Sequence, residues 1–552
     1  MRPVHRFASG RPVGSTAGLP VPLPLPRPRG GWPAVAAEPR PGRRLHVPFA
    51  VGAVAAVAFV GLYGHTHPVV GAVPSWRWFG LLDVPTRSSV QGAASVGAWL
   101  ALLTLTGAWW TVVRRVRAGG VRLRTVAGGV GAWSIPFVVG PPLTSLDIYN
   151  FAAQGVQVLH GQNPYSQAPA ALGASAVLGA VDPRWRGVHS PYGPLGLRIE
   201  WLAALVGHGH ATATVVGLRV VAVVCTVAAV ALGLCLVARA HRPLALLLLA
   251  SPLVLTNLVS AGHLEAPMLA LLVGAVLAER RGHPLLALLL ALAAGLVKAP
   301  ALLGVVFLLV QHQRTAGADL RRAVLGWRVA ARDVAVLLAG AAGATLLVTD
   351  AWGWTRTVVH TPAMGRGFWT PTTVLAEVIA AGARLAGSGM TLDGALSVTR
   401  VCGFGVSGAV VAVLLVRSGG RAWVAALGTG LVAVALLGFI LYPWYVLWGL
   451  PLLVVAARRR IAVGASAAAC AFGWSYLFPA LGEWAGLARA ALRHPTWLAG
   501  AVTALAWAVG AVAVARRTAA VAAGQIDLTV ADRFAAAVER DDAVLGSESA
   551  GG

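Results

Sequence analysis

The chain has 552 residues, of which 57% are hydrophobic and 11% charged, and its mean hydropathy is +0.74. A soluble protein carries roughly 25% charged residues, so an ordinary soluble domain is excluded, and the continuous apolar runs exclude an alternating membrane β-barrel. The net charge of +25 does not point to nucleic acid. Arg114-Arg115-Val116-Arg117 and Arg458-Arg459-Arg460 stand between apolar runs approaching the ~20 residues that a spanning helix needs, the pattern of cytoplasmic loops under the positive-inside rule.

The four cysteines, Cys225, Cys235, Cys402 and Cys470, lie inside apolar runs with no metal-ligand spacing, and read as small buried hydrophobes. The composition therefore predicts an all-α, polytopic transmembrane protein.

In chain order, residues 1–46 hold ten Pro, eight Arg and one Glu, a disordered Pro/Arg-rich cytoplasmic tail and not a cleavable signal. Residues 47–517 form the membrane domain, and 518–552 a polar cytoplasmic tail. Sidedness follows the basic loops. Spans are predicted near 47–64, 89–113 and 125–142, the last leading out to a large outer loop over 143–211. Within that loop Leu195–Val206 is apolar but too short to span, so it is interfacial or re-entrant.

Further spans are predicted near 212–238 and 243–260, followed by the return to Glu279-Arg280-Arg281. A hairpin over 284–311 carries Lys298-Ala299-Pro300 at its outer tip. Residues 312–333 read as a basic cytoplasmic loop, 334–349 as a span and Asp350–Thr373 as an outer loop. Spans near 395–416 and 423–441 precede Tyr442-Pro443-Trp444-Tyr445, a return to Arg458, and a last pair enclosing 480–496. The total is about 12–14 spans with both termini inside.

This topology, drawn from Arg and Lys alone, places Asp147, His263, Glu265, Lys298, Arg356, Arg366, Trp444 and Tyr445 at the outer face. Acids and strong cations together at that face run against the positive-inside trend. Asp147 either caps a helix starting at Ile148 or acts as a general base toward an acceptor hydroxyl. His263 and Glu265 either satisfy a short turn or contact a sugar or phosphate. Lys298, the one cation in a long apolar stretch, either snorkels or holds a phosphate as a point charge. Arg356 and Arg366 flank a loop with Trp352, Trp354, Trp369 and His360 and suit phosphate or sugar. Trp444 and Tyr445 are either interfacial belt or a sugar platform. No spacing supports a metal site.

These residues carry a resemblance. Ser145-Leu146-Asp147-Ile148-Tyr149, Ala153-Gln154-Gly155, Asn163-Pro164-Tyr165 and Ser190-Pro191-Tyr192-Gly193-Pro194 resemble motifs of the actinobacterial polyprenol-phosphate-mannose-dependent α-1,6-mannosyltransferases. Gly262-His263, Lys298, Phe368-Trp369-Thr370-Pro371-Thr372 and Pro443-Trp444-Tyr445 continue the match in order over about residues 50–515. The resemblance implies a GT-C glycosyltransferase fold with a large first catalytic outer loop.

It further implies transfer of mannose from polyprenyl phosphomannose to an α-1,6-mannan acceptor, in lipomannan or lipoarabinomannan-type core synthesis. The setting is the plasma membrane, with the active site on the extracytoplasmic face. Asp147 is then the catalytic base. Tyr149, Asn163, Tyr165, Tyr192, His263, Glu265, Lys298, Arg356, Arg366, Trp444 and Tyr445 are the substrate-binding candidates. No cofactor is implied beyond the lipid-linked donor, and a divalent metal is neither required nor excluded. The partners are the lipid donor, the mannan acceptor and membrane lipids. Two departures bear on the acceptor: Leu146 stands where relatives carry a basic residue, and Gly262-His263-Leu264-Glu265 replaces Gly-His-Asn followed by an acid. A transferase for another polyprenyl-phosphate sugar such as arabinose, and a lipid-linked sugar flippase or transporter, remain the alternatives.

Overall fold

The computed structural model describes residues 45–66, 88–316, 320–348, 350–360, 370–420 and 422–477. The structured part is helical, with no strand among the described residues. The two tails, residues 67–87, and residues 478–517 with the second span of the last predicted pair lie outside them.

The first unit is α1 (His46–Thr66), α2 (Ser88–Arg117) and α3 (Leu123–Val139), with α1 packed between the other two. α3 stops because Gly140-Pro141-Pro142 cannot continue it. The segment after it is not a plain loop. It contains α4 (Asp147–Leu159), the short α5 (Ala176–Ala180) and α6 (Pro194–Val206), which lies against α4. Pro194 opens α6 at a position where a missing N–H costs nothing. At 13 residues α6 is too short to span, as its length in the sequence predicts.

α7 (Ala211–Cys235) follows, then α8 (Arg242–Leu249) and α9 (Pro252–Val254), which continues as a π-helical turn, Leu255–Ser260. The single span expected over 243–260 is thus broken, with a 48° bend where Ala250 and Ser251 precede Pro252. α10 (Glu265–Arg280) packs on α7 and on α11 (Pro284–Val297). Lys298 is extended, and after a short 3-10 turn the chain turns back as α12 (Leu302–Ala316), so the expected hairpin tip is a real break between helices.

The segment 312–333 departs from expectation. It is mostly helical, because α12 runs to Ala316 and α13 (Leu320–Thr345) starts soon after. His312, on α12, explains why order extends there. Its Nδ1 lies 2.6 Å from Asp333 Oδ2 and its Nε2 3.1 Å from Glu279 Oε2, tying α12 to α13 and α10. After α14 (Trp354–His360) comes α15 (Pro371–Leu385), an element the basic-loop reading did not foresee, packed on α16 (Leu392–Arg417). α17 (Trp423–Leu437), a 3-10 turn over Pro443–Trp448, α18 (Leu450–Ala456) and α19 (Arg459–Tyr476) complete the described chain.

By length and composition three helices among the described residues (the α1 segment His46–Gly64, α7 and α16) can cross a membrane, or four if the bent segment over 239–260 counts as one span. Four shorter apolar helices add to these. The expected 12–14 spans are therefore not met by long unbroken helices among the described residues; breaks at Pro and Gly shorten several. Basic residues gather at one set of helix ends, as at Arg114, Arg115 and Arg117 of α2 and Arg280 of α10. The opposite ends carry Asp147, Glu265 and Lys298.

Candidate functional site

Three helix ends deliver the polar cluster. Asp147 is the first residue of α4, and Leu146, not Asp147, takes the N-cap position without a side-chain bond. The capping alternative for Asp147 therefore fails on geometry, although a first-turn carboxylate still meets the positive end of the helix dipole. His263 and Glu265 stand where α10 begins, after Gly262 at φ +69, a conformation that favours glycine. Lys298 follows the last turn of α11.

His263 stands between two carboxylates at nearly equal distances. His263 Nδ1 lies 3.8 Å from Asp147 Oδ2 and 3.9 Å from Glu265 Oε2, too far for hydrogen bonds. Burial pushes the His263 imidazole down to about 4, with Glu265 opposing and Lys298 adding to the shift, so the ring is neutral at pH 7. Burial pushes the Asp147 carboxyl up to about 6; Lys298 opposes, Glu265 reinforces, and the Ser145 hydroxyl and Arg184 oppose.

Lys298 does not snorkel. Its side chain is only 12% exposed and its Nζ donates to Glu265 Oε1 at 2.5 Å. The same oxygen accepts from Trp448 Nε1 at 3.2 Å. The ammonium also lies 4.9 Å from the Tyr445 ring centre, 5.5 Å from Tyr192 and 5.8 Å from Trp448, an aromatic box that attracts a desolvated cation.

A second layer is aromatic. Trp444 packs on the His263 ring at 4.2 Å and stacks on Tyr442 at 4.5 Å and 8°, while Tyr445 stacks on Trp448 at 4.4 Å. The Pro443–Trp448 turn thus brings both tryptophans of this segment to the cluster. Below it, a cavity of about 10 Å3 lined by Thr144, Thr256, Asn257, Trp444 and Tyr476 has room for about one water.

The loop motifs hold this arrangement. Asn163 Oδ1 accepts from Tyr165 N at 3.0 Å, and Tyr165 Oη donates to Tyr192 O at 3.0 Å. Ser190 Oγ donates to Gln154 Oε1 at 2.8 Å and accepts from Tyr192 N at 3.3 Å. Gly193 N donates to Val297 O at 3.3 Å, and a side chain at Gly193 would collide with the Leu296 carbonyl. The glycine therefore lets the Tyr192 segment lie against the end of α11, next to Lys298. Asn163 and Tyr165 act one step away from the cluster, whereas Tyr192 lines it.

Five buried polar atoms in and beside the cluster have no hydrogen-bond partner: His263 Nδ1 and Nε2, Glu265 Oε2, Trp444 Nε1 and Tyr149 Oη. Buried polar groups are normally paired, and these five leave both donors and acceptors available to a ligand hydroxyl at the cluster. No group of three or more His, Cys, Asp or Glu among the described residues has a metal-holding arrangement.

The other candidate cations divide. Arg356, on α14, is mostly exposed and pairs with Asp350 at 2.5 Å. Arg366 lies outside the described residues. Reading the sequence also passed over residues that the structure places near the cluster. Arg184, paired with Asp182 at 2.7 Å, acts electrostatically on Asp147, and nothing in its exposed loop signals that. Tyr476 meets Tyr442 edge-on at 6.2 Å. Arg219, inside α7, is close to Tyr149; it carries the same signal as Lys298, a lone charge in an apolar run.

Fold and site together define an all-helical membrane protein with a carboxylate, a neutral histidine, an ion-paired lysine and an aromatic platform gathered at one end of its helices. The family described as alpha-(1->6)-mannopyranosyltransferase, N-terminal domain, matches residues 49–314, and the MptB C-terminal domain matches 372–483. The chain belongs to this alpha-(1->6)-mannopyranosyltransferase family. It is 26% identical over 396 residues to alpha-(1->6)-mannopyranosyltransferase A of Mycobacterium tuberculosis, covering 68% of this chain and 73% of the relative. To a probable alpha-(1->6)-mannopyranosyltransferase of Mycolicibacterium smegmatis it is 27% identical over 428 residues, 69% and 73% of the two chains. To alpha-(1->6)-mannopyranosyltransferase B of Corynebacterium glutamicum it is 27% identical over 385 residues, 65% and 64%. No solved structure matches the chain.

Proposed function

We propose that the protein transfers mannose from polyprenyl phosphomannose to an α-1,6-mannan acceptor at the extracytoplasmic face of the plasma membrane, in building a lipomannan-type core. The observation that carries this reading is the set of unpartnered buried polar atoms beside Asp147 and Lys298. A hexose satisfies such atoms through its hydroxyls, and Trp444 offers it a flat face. The relatives' names support mannose over arabinose, and a site at helix ends supports a transferase over a transporter with midplane groups.

In the proposed step the acceptor 6-hydroxyl attacks the anomeric carbon of the donor. Its proton passes to an Asp147 oxygen, and the bond from that carbon to the phosphate oxygen breaks, inverting a β-linked donor to an α-linked product. Asp147 is partly open, with its side chain 21% exposed, and a pKa near 6 suits a base that is ionised yet willing to accept a proton at neutral pH. Lys298 uses one of its three N–H groups on Glu265, which leaves others for the departing phosphate. His263 and the free Glu265 oxygen hold sugar hydroxyls. Holding donor and acceptor in line supplies much of the rate.

Purified protein supplied with radiolabelled polyprenyl phosphomannose and short α-1,6-mannosides should give extended product cleavable by an α-1,6-specific mannosidase. No extension, with the donor shown to be intact, rejects the reading.

A further inference from the structure

Arg219 is the only charged residue of α7 and is 4% exposed. A charge inside an apolar helix is retained where it has fixed partners. Its guanidinium donates to the carbonyls of Phe137 and Gly140, and to Val138 O at 3.2 Å. These carbonyls lie at the end of α3, where Pro141 and Pro142 leave them without helical partners. A cation there also meets the negative end of the helix dipole.

The same side chain reaches two more segments. A Cβ at Gly262 would stand 3.4 Å from Arg219 Cγ and 2.5 Å from Ile148 Cδ1, so the arginine stem and Ile148 both pack under the turn that presents His263. Tyr149, in the first turn of α4, is an electrostatic neighbour of Arg219. Between these anchors the segment 141–146 is held by weaker ties, Ser260 Oγ to Pro141 O at 3.4 Å and Thr144 Oγ1 to Thr256 O at 3.3 Å, with Thr144 at φ +68.

We propose that Arg219 is a positioning residue for mannosyl transfer: by clamping the end of α3 and packing under Gly262, it sets where Asp147 stands relative to His263. The proposal rests on the reading of Asp147 as the base. Arg219 touches no substrate in this scheme. A lysine cannot replace it, because a compact ammonium does not span two carbonyls as a planar fork does.

The test uses the full-length protein with Arg219→Lys and Arg219→Gln, reading kcat, KM for both substrates, and hydrogen exchange across 137–149, all per folded molecule. The expected result is a kcat lower by about 10–100-fold, the scale of a small misplacement of reacting groups. Both KM values should stay within about threefold, and exchange should rise over 141–149 but not in α16 or α17. A merely stabilising arginine would lower the folded fraction and leave kcat per folded molecule unchanged. A folded Arg219→Lys protein with kcat within twofold and wild-type exchange at 141–149 overturns the proposal. If both arginine variants fail to fold, Ser260→Ala loosens the same segment from its other side: a lower kcat with faster exchange at 141–149 supports the proposal, and wild-type behaviour overturns it. If the wild-type protein makes no product from polyprenyl phosphomannose, the proposed function fails, and the exchange measurement alone decides whether Arg219 holds the segment.

Discussion

Lys298 Nζ and Glu265 Oε1 lie 2.5 Å apart, joining the end of α11 to the start of α10. The glutamate is fully buried and the lysine nearly so. Breaking one half of such a pair leaves an uncompensated buried charge, which costs about 3–5 kcal/mol. Lys298→Met should therefore lower thermal stability in detergent, and adding Glu265→Gln should recover part of the loss. Stability losses that simply add in the double variant would show that the two side chains do not interact in the protein.

Asp147→Asn keeps the shape of the side chain and removes its basicity. Transfer should fall by at least about a hundredfold, the scale of losing a general base, with the unfolding temperature near wild type. Activity within a few-fold of wild type would remove Asp147 from the chemistry.

The pH dependence has a definite sign. Asp147 works ionised, and its carboxyl is raised to about 6. Activity should be full above that value and fall as pH drops through it. Lys298 holds the carboxyl lower than burial alone would, so Lys298→Met should move this acid limb to higher pH. A limb that stays in place would mean that the titrating group is not the carboxyl facing Lys298.

Trp444 tests the platform. Trp444→Ala removes a ring that packs on His263 and stacks on Tyr442; such contacts are worth about 0.5–1.5 kcal/mol beyond lost area. The KM for the sugar substrate should rise several-fold, and Trp444→Phe should restore part of it. Equal KM values in the Ala and Phe variants would argue against stacking on the sugar.

Sidedness can be read by cysteine labelling after Cys225, Cys235, Cys402 and Cys470 are replaced. Cysteines at positions 147 and 356, which are open to solvent, should react with an impermeant reagent in intact cells, and those at 115 and 459 only after permeabilisation. Labelling of position 147 only after permeabilisation would contradict an external lipid donor.

The sequence by itself determined the solvent and the helical class. Continuous apolar runs admit only helices in a bilayer, since each backbone group must be paired within its own segment. It also revealed Asp147, Glu265 and Lys298 as expensive charges at the ends of apolar runs, because the cost of a charge near lipid can be read one residue at a time. Helix breaks at Gly140-Pro141-Pro142 and Pro300 were legible, as proline removes a donor wherever it falls, whereas the bend at Pro252 lies inside a run that reads as one continuous span.

Partnership was not legible. Glu265 and Lys298 are 33 residues apart, and only the packing of α10 against α11 makes them a pair and rules out snorkelling. The basic stretch 312–333 looked like a loop because its charges hide a helix held by His312, Asp333 and Glu279. Arg219 stands out as a lone charge in an apolar run, but its partners at the end of α3 and under Gly262 exist only once the helices are packed. Pairing energies depend on distance and burial, and both exist only once the helices are packed.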